Sequence, residues 1–301
     1  MQQAFLVKQP RGPFCSGYLV TNNYRPLIDL DTSVIFTRID DFDKMGIGAM
    51  IAEGFLHFGA KVYIVSRREE ALKAKQFELS KIGPCEYIQA DLSNLSGIEK
   101  LVQQFSEQES QLDILVNNAG ISDGGKEVDD ITEEDWDSVM NLNIKTIFFM
   151  TQKFLPFLRV GSSPETPKNV INIASIDGCG KINSFYNFAY GVSKAGVIQL
   201  GKHLGDSLAW EGIQLNTISP GDFPTDLNTI ARDHKEEMKE YIPGKRVGEK
   251  ENLAGAAIFL ASNAGNFSVG SNIVVDGGES VRGVQREFFA NIRPGFVDLN
   301  K

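Results

Sequence analysis

Short β-branched runs alternate with stretches of helical spacing from residue 33 to residue 276, and this alternation constrains the fold of the 301-residue chain more than any other feature. Seven runs read as strands: Ser33–Thr37, Lys61–Ser66, Glu86–Ala90, Leu112–Asn117, Asn169–Ser175, Ile213–Ile218 and Asn272–Asp276. Several, such as Asp113–Val116 and Asn169–Ile173, are nearly continuous apolar stretches, as expected of strands covered on both faces. Between strands, Ile98, Leu101, Val102 and Phe105 recur at helical spacing and predict one buried face. Thr132 with Asp135 three residues later has the form of a capping box and predicts a helix start. Repeated βαβ units require a parallel sheet with right-handed crossovers. The predicted architecture is a doubly wound parallel α/β sheet of about seven strands in three α/β/α layers. It divides into an N-terminal extension (1–32), one domain (33–278) and a C-terminal tail (279–301).

Composition narrows the function classes. The net charge of -9 argues against a nucleic-acid binder, which would normally carry a basic face. No run approaches the roughly 18 apolar residues of a membrane span. Cys15, Cys85 and Cys179 are odd in number and widely spaced, which points to a reducing, cytoplasmic setting. The charge is uneven, however. Residues 1–28 hold Lys8, Arg11 and Arg25 without an acid, leaving -12 for the remainder. A basic, acid-free start allows a mitochondrial presequence, although Pro10, Gly12, Pro13 and Gly17 oppose a long amphipathic helix. His57, His203 and His234 lack the close partners of a zinc site, so no metal is expected.

The segment Tyr190-Gly-Val-Ser-Lys194 bears the chemistry. Residues four apart share a helix face, so phenol and ammonium can enter one cleft. A free tyrosine titrates near pH 10, and a nearby ammonium should lower that value toward the working range. Alone this pattern is weak, since seven Tyr would produce it by chance roughly 0.4 times. Its context is specific. Ser175 ends a predicted strand fifteen residues earlier; Asn117-Asn118-Ala119-Gly120 follows another; Pro220-Gly221 with Thr225 follows a third; Asp276-Gly-Gly278 closes the series.

In this order the motifs resemble those of the short-chain dehydrogenases/reductases, over roughly residues 30–280, with 3-oxoacyl-carrier-protein and β-ketoacyl reductases the most similar kind. The resemblance implies a Rossmann-type fold and an oxidoreductase moving hydride between NADP(H) and a ketone or secondary alcohol. It implies Tyr190 as proton donor or acceptor and Ser175 as the group orienting the carbonyl. Lys194 would depress the Tyr190 pKa and hold the nicotinamide ribose. Asn143 would hold a relay water, in preference to Asn141, which would face elsewhere on a helix. Cofactor contacts are implied for Gly46, Ile47, Gly48, Arg67, Asp91, Leu92, Asn118, Ala119, Gly120, Tyr190, Lys194, Pro220, Gly221, Phe223 and Thr225. The resemblance also implies a homodimer or homotetramer.

Arg67 and Arg68, at the end of the second strand, suit the 2′-phosphate of NADP rather than the free ribose of NAD. The first βα turn departs from the family pattern. It is about four residues longer, lacks the first glycine and carries Asp40, Asp41 and Asp43 ahead of Gly46-Ile47-Gly48. A carboxylate about 4 Å from a phosphate would cost up to roughly 4 kcal/mol at an effective dielectric of 20. Three outcomes stay open: the loop bulges outward with Arg38 or Lys44 turned in, binding is weak, or the residues before about Lys44 do not represent the native exon of a working enzyme. The alternative to a reductase is therefore a non-catalytic or repurposed member with weakened cofactor binding. Substrate identity is not encoded legibly. Asp222–Lys245 corresponds to the family's substrate lid, its run Arg232–Glu237 reads as a solvated face, and Phe185, Tyr186, Phe188 and Phe223 line either a pocket or the core.

Overall fold

The computed structural model describes residues 32–37, 46–181 and 186–282. The loop carrying Arg38, Asp40, Asp41, Asp43 and Lys44 lies outside the described residues, as do Phe185, Cys15 and nearly all of both expected extensions. Seven parallel strands form one sheet in the order β3-β2-β1-β4-β5-β6-β7. They are β1 (Ser33–Thr37), β2 (Lys61–Ser66), β3 (Cys85–Gln89), β4 (Ile114–Asn117), β5 (Lys168–Ile173), β6 (Ile213–Pro220) and β7 (Asn272–Val275). The order reverses between β1 and β4, and in such sheets ligands bind at the carboxyl ends beside that reversal.

Strand alternation explains the layers. Val34 and Phe36 of β1, Val62 and Ile64 of β2, and Ile114 and Val116 of β4 face α1 (Ile47–His57), α2 (Glu69–Leu79) and α9 (Lys250–Ala261). Ile35, Tyr63, Val65 and Leu115 face the other way, against α3 (Leu95–Ser106), α5 (Thr146–Leu158) and α6 (Phe188–Ala209). Both faces are thus buried, which is why the strands read as apolar runs. Gly54 lets α1 approach α9 closely, since a Cβ there would stand 2.5 Å from the Ala254 Cβ. On the opposite face Phe105 sits edge-on to Tyr63, Phe154 and Phe157. Its truncation to Ala would cost about 3–5 kcal/mol. At the amino edge of the sheet, Asp113 ties three strands together. It accepts from the Ser33 backbone (2.8 Å) and hydroxyl (2.9 Å) and pairs with Lys168.

The remaining helices are α4 (Glu133–Met140), α7 (Thr229–Asp233) and α8 (Lys235–Tyr241). The Thr132–Asp135 capping box opens α4 as expected, and Ile98, Leu101 and Phe105 are the buried face of α3. The bounds of five strands, β3 to β7, differ from the sequence reading. β4 starts at Ile114, and β3 ends at Gln89. β5 ends at Ile173, so Ser175 lies beyond the strand and caps a 3-10 turn, Ile176–Cys179, by accepting the Asp177 N–H at 3.2 Å. Beyond β7, Glu279 is buried against Lys181 and takes the Asp222 N–H at 3.2 Å, so the first residue of the expected tail packs on the domain.

Candidate active site

The carboxyl ends of β4 and β5 and the start of α6 (Phe188–Ala209) bring Asn143, Ser175, Tyr190 and Lys194 together. Asn143 lies in a π-helical turn, Asn141–Lys145, inserted between α4 and α5. Such turns shift side chains out of the ordinary helical register and recur at functional sites. Its fully buried amide donates to the Ile121 carbonyl and accepts the Ile121 N–H, each at 2.8 Å, and also donates to the Ser193 hydroxyl at 3.0 Å. Asn143 and the loop after β4 are therefore locked together through both amide atoms.

Helix α6 presents Tyr190 and Lys194 one turn apart. Its N-cap residue, Asn187, caps nothing with its side chain and instead accepts from the Ser122 hydroxyl. The buried carboxylate of Asp123 takes the Ala189 N–H at 3.2 Å and so caps the helix from another loop. The Lys194 ammonium donates to the Ile173 carbonyl at 2.9 Å and stands 5.5 Å from the centre of the Tyr190 ring. Gly178, in the turn capped by Ser175, lies directly on this helix. A Cβ there would come within 2.5 Å of the Lys194 carbonyl carbon.

The net shift of the Tyr190 pKa runs opposite to the lowering expected from Lys194. Burial pushes the phenol up to about 12, a hydrogen bond with Ser175 pulls it down, and the charge of Asp177 pushes it further up. Desolvation of the phenolate outweighs the stabilising contacts.

The expected cofactor residues lie along the same edge. Gly46 precedes α1 in extended conformation, Gly48 is buried, and the first turn holds no acid, so the amide end of α1 can receive an anion. At the ends of β2 and β3 a pocket is lined by Ser66, Arg67, Ala90, Asp91, Leu92, Ser93 and Leu142. Gln89 fixes the Arg67 carbonyl at 3.0 Å. Ala119 is buried, and Gly120 approaches Lys194 and Asn143 so closely that a Cβ would meet Nζ at 3.2 Å. A guanidinium beside Asp91, an acid-free helix start and a glycine-floored cleft fit a phosphorylated dinucleotide.

Other expected contacts are placed less directly. Pro220 ends β6, and Gly221 sits against Asp276, 2.6 Å from its Cβ to an added Cβ. Phe223 is 2% exposed and packs in the core over Gly248. Thr225 is buried, and its hydroxyl accepts the Asn228 N–H at 3.1 Å. Tyr186 and Phe188 stack at 5.5 Å and remain partly exposed just ahead of Tyr190. Ser193, Ile121, Asp123, Thr146 and Gly178 escaped the sequence reading. Their neighbours in the motifs were the one available signal for the first two, and none marked the others.

The family model described as enoyl-(acyl carrier protein) reductase matches residues 42–280. A rhamnolipids biosynthesis 3-oxoacyl-[acyl-carrier-protein] reductase of Pseudomonas aeruginosa is 42% identical over 236 residues, spanning 77% of this chain and 91% of that protein. The 3-oxoacyl-[acyl-carrier-protein] reductase FabG of Chlamydia pneumoniae is 33% identical over 235 residues, spanning 77% and 92%. Among solved structures, the Pseudomonas aeruginosa RhlG/NADP active-site complex aligns with a TM-score of 0.79 at 38% identity, covering 85% of this chain and 100% of that one.

Proposed function

The chain belongs to the short-chain dehydrogenase/reductase family, and we propose on that footing that it reduces the ketone of a 3-oxoacyl substrate. It is an NADP(H)-dependent oxidoreductase acting between a carbonyl compound and the corresponding secondary alcohol. The repurposed, non-catalytic alternative is not favoured. The observation that carries the reading is the meeting of Ser175, Tyr190 and Lys194 beside an Asn143 fixed to Ile121.

NADPH, when bound, supplies the hydride. The Tyr190 hydroxyl then gives its proton to the carbonyl oxygen, and its raised pKa keeps that proton in place at neutral pH. Ser175, whose side chain lies beside the Tyr190 phenol, would orient the same oxygen. Lys194, held by the Ile173 carbonyl, would hold the nicotinamide ribose, and Asn143 keeps the loop after β4 in register. Arg67 would receive the 2′-phosphate and Asp91-Leu92 the adenine.

The test is a fluorescence titration with NADPH followed by turnover on a panel of 3-oxoacyl thioesters. Saturable binding below millimolar cofactor and turnover abolished in Tyr190→Phe with nearly unchanged NADPH affinity are expected. No binding at millimolar NADPH would overturn the reading. Arg67→Glu should shift preference from NADPH toward NADH by tenfold or more, about 1.4 kcal/mol. The assembly proposed is a homodimer or homotetramer, to be read by light scattering, and the compartment proposed is the cytoplasm.

A further inference from the structure

The π turn that seats Asn143 also borders the nucleotide end of the cleft. Leu142 lines the pocket with Arg67, Asp91 and Leu92, and the next residue, Asn143, grips Ile121. At the end of the turn the Thr146 N–H reaches back to the Asn141 carbonyl, five residues earlier. The Thr146 side chain, 3% exposed, donates its hydroxyl to the Leu92 carbonyl at 2.6 Å and lies 3.1 Å from the Asn141 carbonyl. One threonine therefore bonds the loop after β3 and the carbonyl at which the π register opens. A helix carrying one residue more than its regular register has two discrete arrangements available, π or α, and a contact at that residue can bias them.

We propose that Thr146 is a positioning residue that couples the seating of the adenosine half of the cofactor at Asp91-Leu92 to the placement of Asn143. The inference rests on the reading above that this pocket takes the adenosine end of NADP(H). The path consists of contacts already described: Leu92 carbonyl to Thr146 hydroxyl, Thr146 to the Asn141 carbonyl, and the intervening π turn to the Asn143–Ile121 pair. Leu142 adds a second, direct contact, because it faces the pocket from within the same turn. A ligand that orders Leu92 thus orders Asn143 at a distance from the reacting carbon, and does so without a nicotinamide.

The probe is adenosine 2′,5′-bisphosphate, which carries the adenosine and 2′-phosphate but no reacting group. The readout is amide hydrogen exchange at Ile121, whose N–H donates to the Asn143 Oδ1. In the unaltered protein, saturating probe is expected to slow exchange at Ile121 about tenfold. Thr146→Val keeps the shape and loses the hydroxyl; it should still bind the probe while most of the slowing is lost. Thr146→Ser retains the hydroxyl and should recover it. Through the same link, Thr146→Val should lower kcat more than it raises the KM for NADPH. Equal slowing in Thr146→Val and the parent protein would overturn the inference, as would a parent protein that binds the probe with no change at Ile121. If the parent protein fails to bind the probe at all, the nucleotide reading falls together with the inference.

Discussion

Gly120 passes so near the Lys194 ammonium that a Cβ on residue 120 would stand 3.2 Å from Nζ and 3.4 Å from the Asn143 Oδ1. Two members of the proposed catalytic set thus converge on one glycine, whose backbone conformation requires no left-handed φ. Gly120→Ala should leave the fold intact and displace the ammonium or the amide by a few tenths of an ångström. Misplacement of about 1 Å can cost about a hundredfold, so a loss of roughly tenfold or more in kcat is expected. Steady-state kinetics beside a thermal melt check this; full kcat with an unchanged Tm would show that the close approach does not matter.

As the proposed proton donor, the Tyr190 phenol should set the alkaline limit of the reduction. Burial raises its pKa to about 12, and Asp177 adds to the rise. The proton donor must be protonated, so the kcat for reduction should stay flat through neutrality and fall only in strong alkali. Asp177→Asn removes the charge that disfavours the phenolate, and the alkaline limb should move to lower pH. A pH–rate profile with an unmoved limb would count against Tyr190 as the donor.

The sheet was legible because its inner strands advertise two buried faces, and β1 and β2 match their expected bounds. The proposed catalytic residues were legible because phenol, ammonium, serine and amide stand at fixed intervals along one chain. Their supports were not. The π register at Asn141–Lys145 adds a single residue to a helical pattern whose apolar spacing barely changes. Asp123 caps α6 from 66 positions away, a tertiary choice that no local preference announces.

Glu279 should make stability depend on pH. Burial and the nearby Asp222 push its carboxyl up to about 7, against the opposing pull of Lys181. A group with a folded pKa above its unfolded value contributes its full stability below the unfolded pKa, near 4.5 here, and loses it as pH rises through the folded pKa. Between about pH 4.5 and pH 7 the native state should therefore weaken on this account. Glu279→Gln cannot ionise and should flatten that slope. With allowance for solvent screening, the Tm difference between pH 5 and pH 8 should shrink by about 2–4 °C. Melts of both proteins at the two pH values decide it, and parallel slopes would exclude Glu279 as the source.

The packing of Gly178 on α6 yields the sharpest structural test. An added Cβ would lie 2.5 Å from the Lys194 carbonyl carbon and 2.7 Å from both the Lys194 oxygen and the Ala195 nitrogen. All three are backbone atoms inside a helix, so none can swing aside as a side chain would. Gly178→Ala must push the Ser175 turn away from the helix that carries Tyr190, stretching the contact between their hydroxyls. Overpacking of this kind costs about 1–3 kcal/mol, and the displaced serine should lower kcat by roughly a hundredfold. Gly255 provides the contrast: it lies within α9, and no described atom stands within 4 Å of an added Cβ. Gly255→Ala should raise Tm, since alanine is favoured over glycine in a helix by about 1 kcal/mol, with kcat retained. If Gly178→Ala kept both its Tm and its turnover, the contact between the turn and the helix could not be what holds Ser175 against Tyr190.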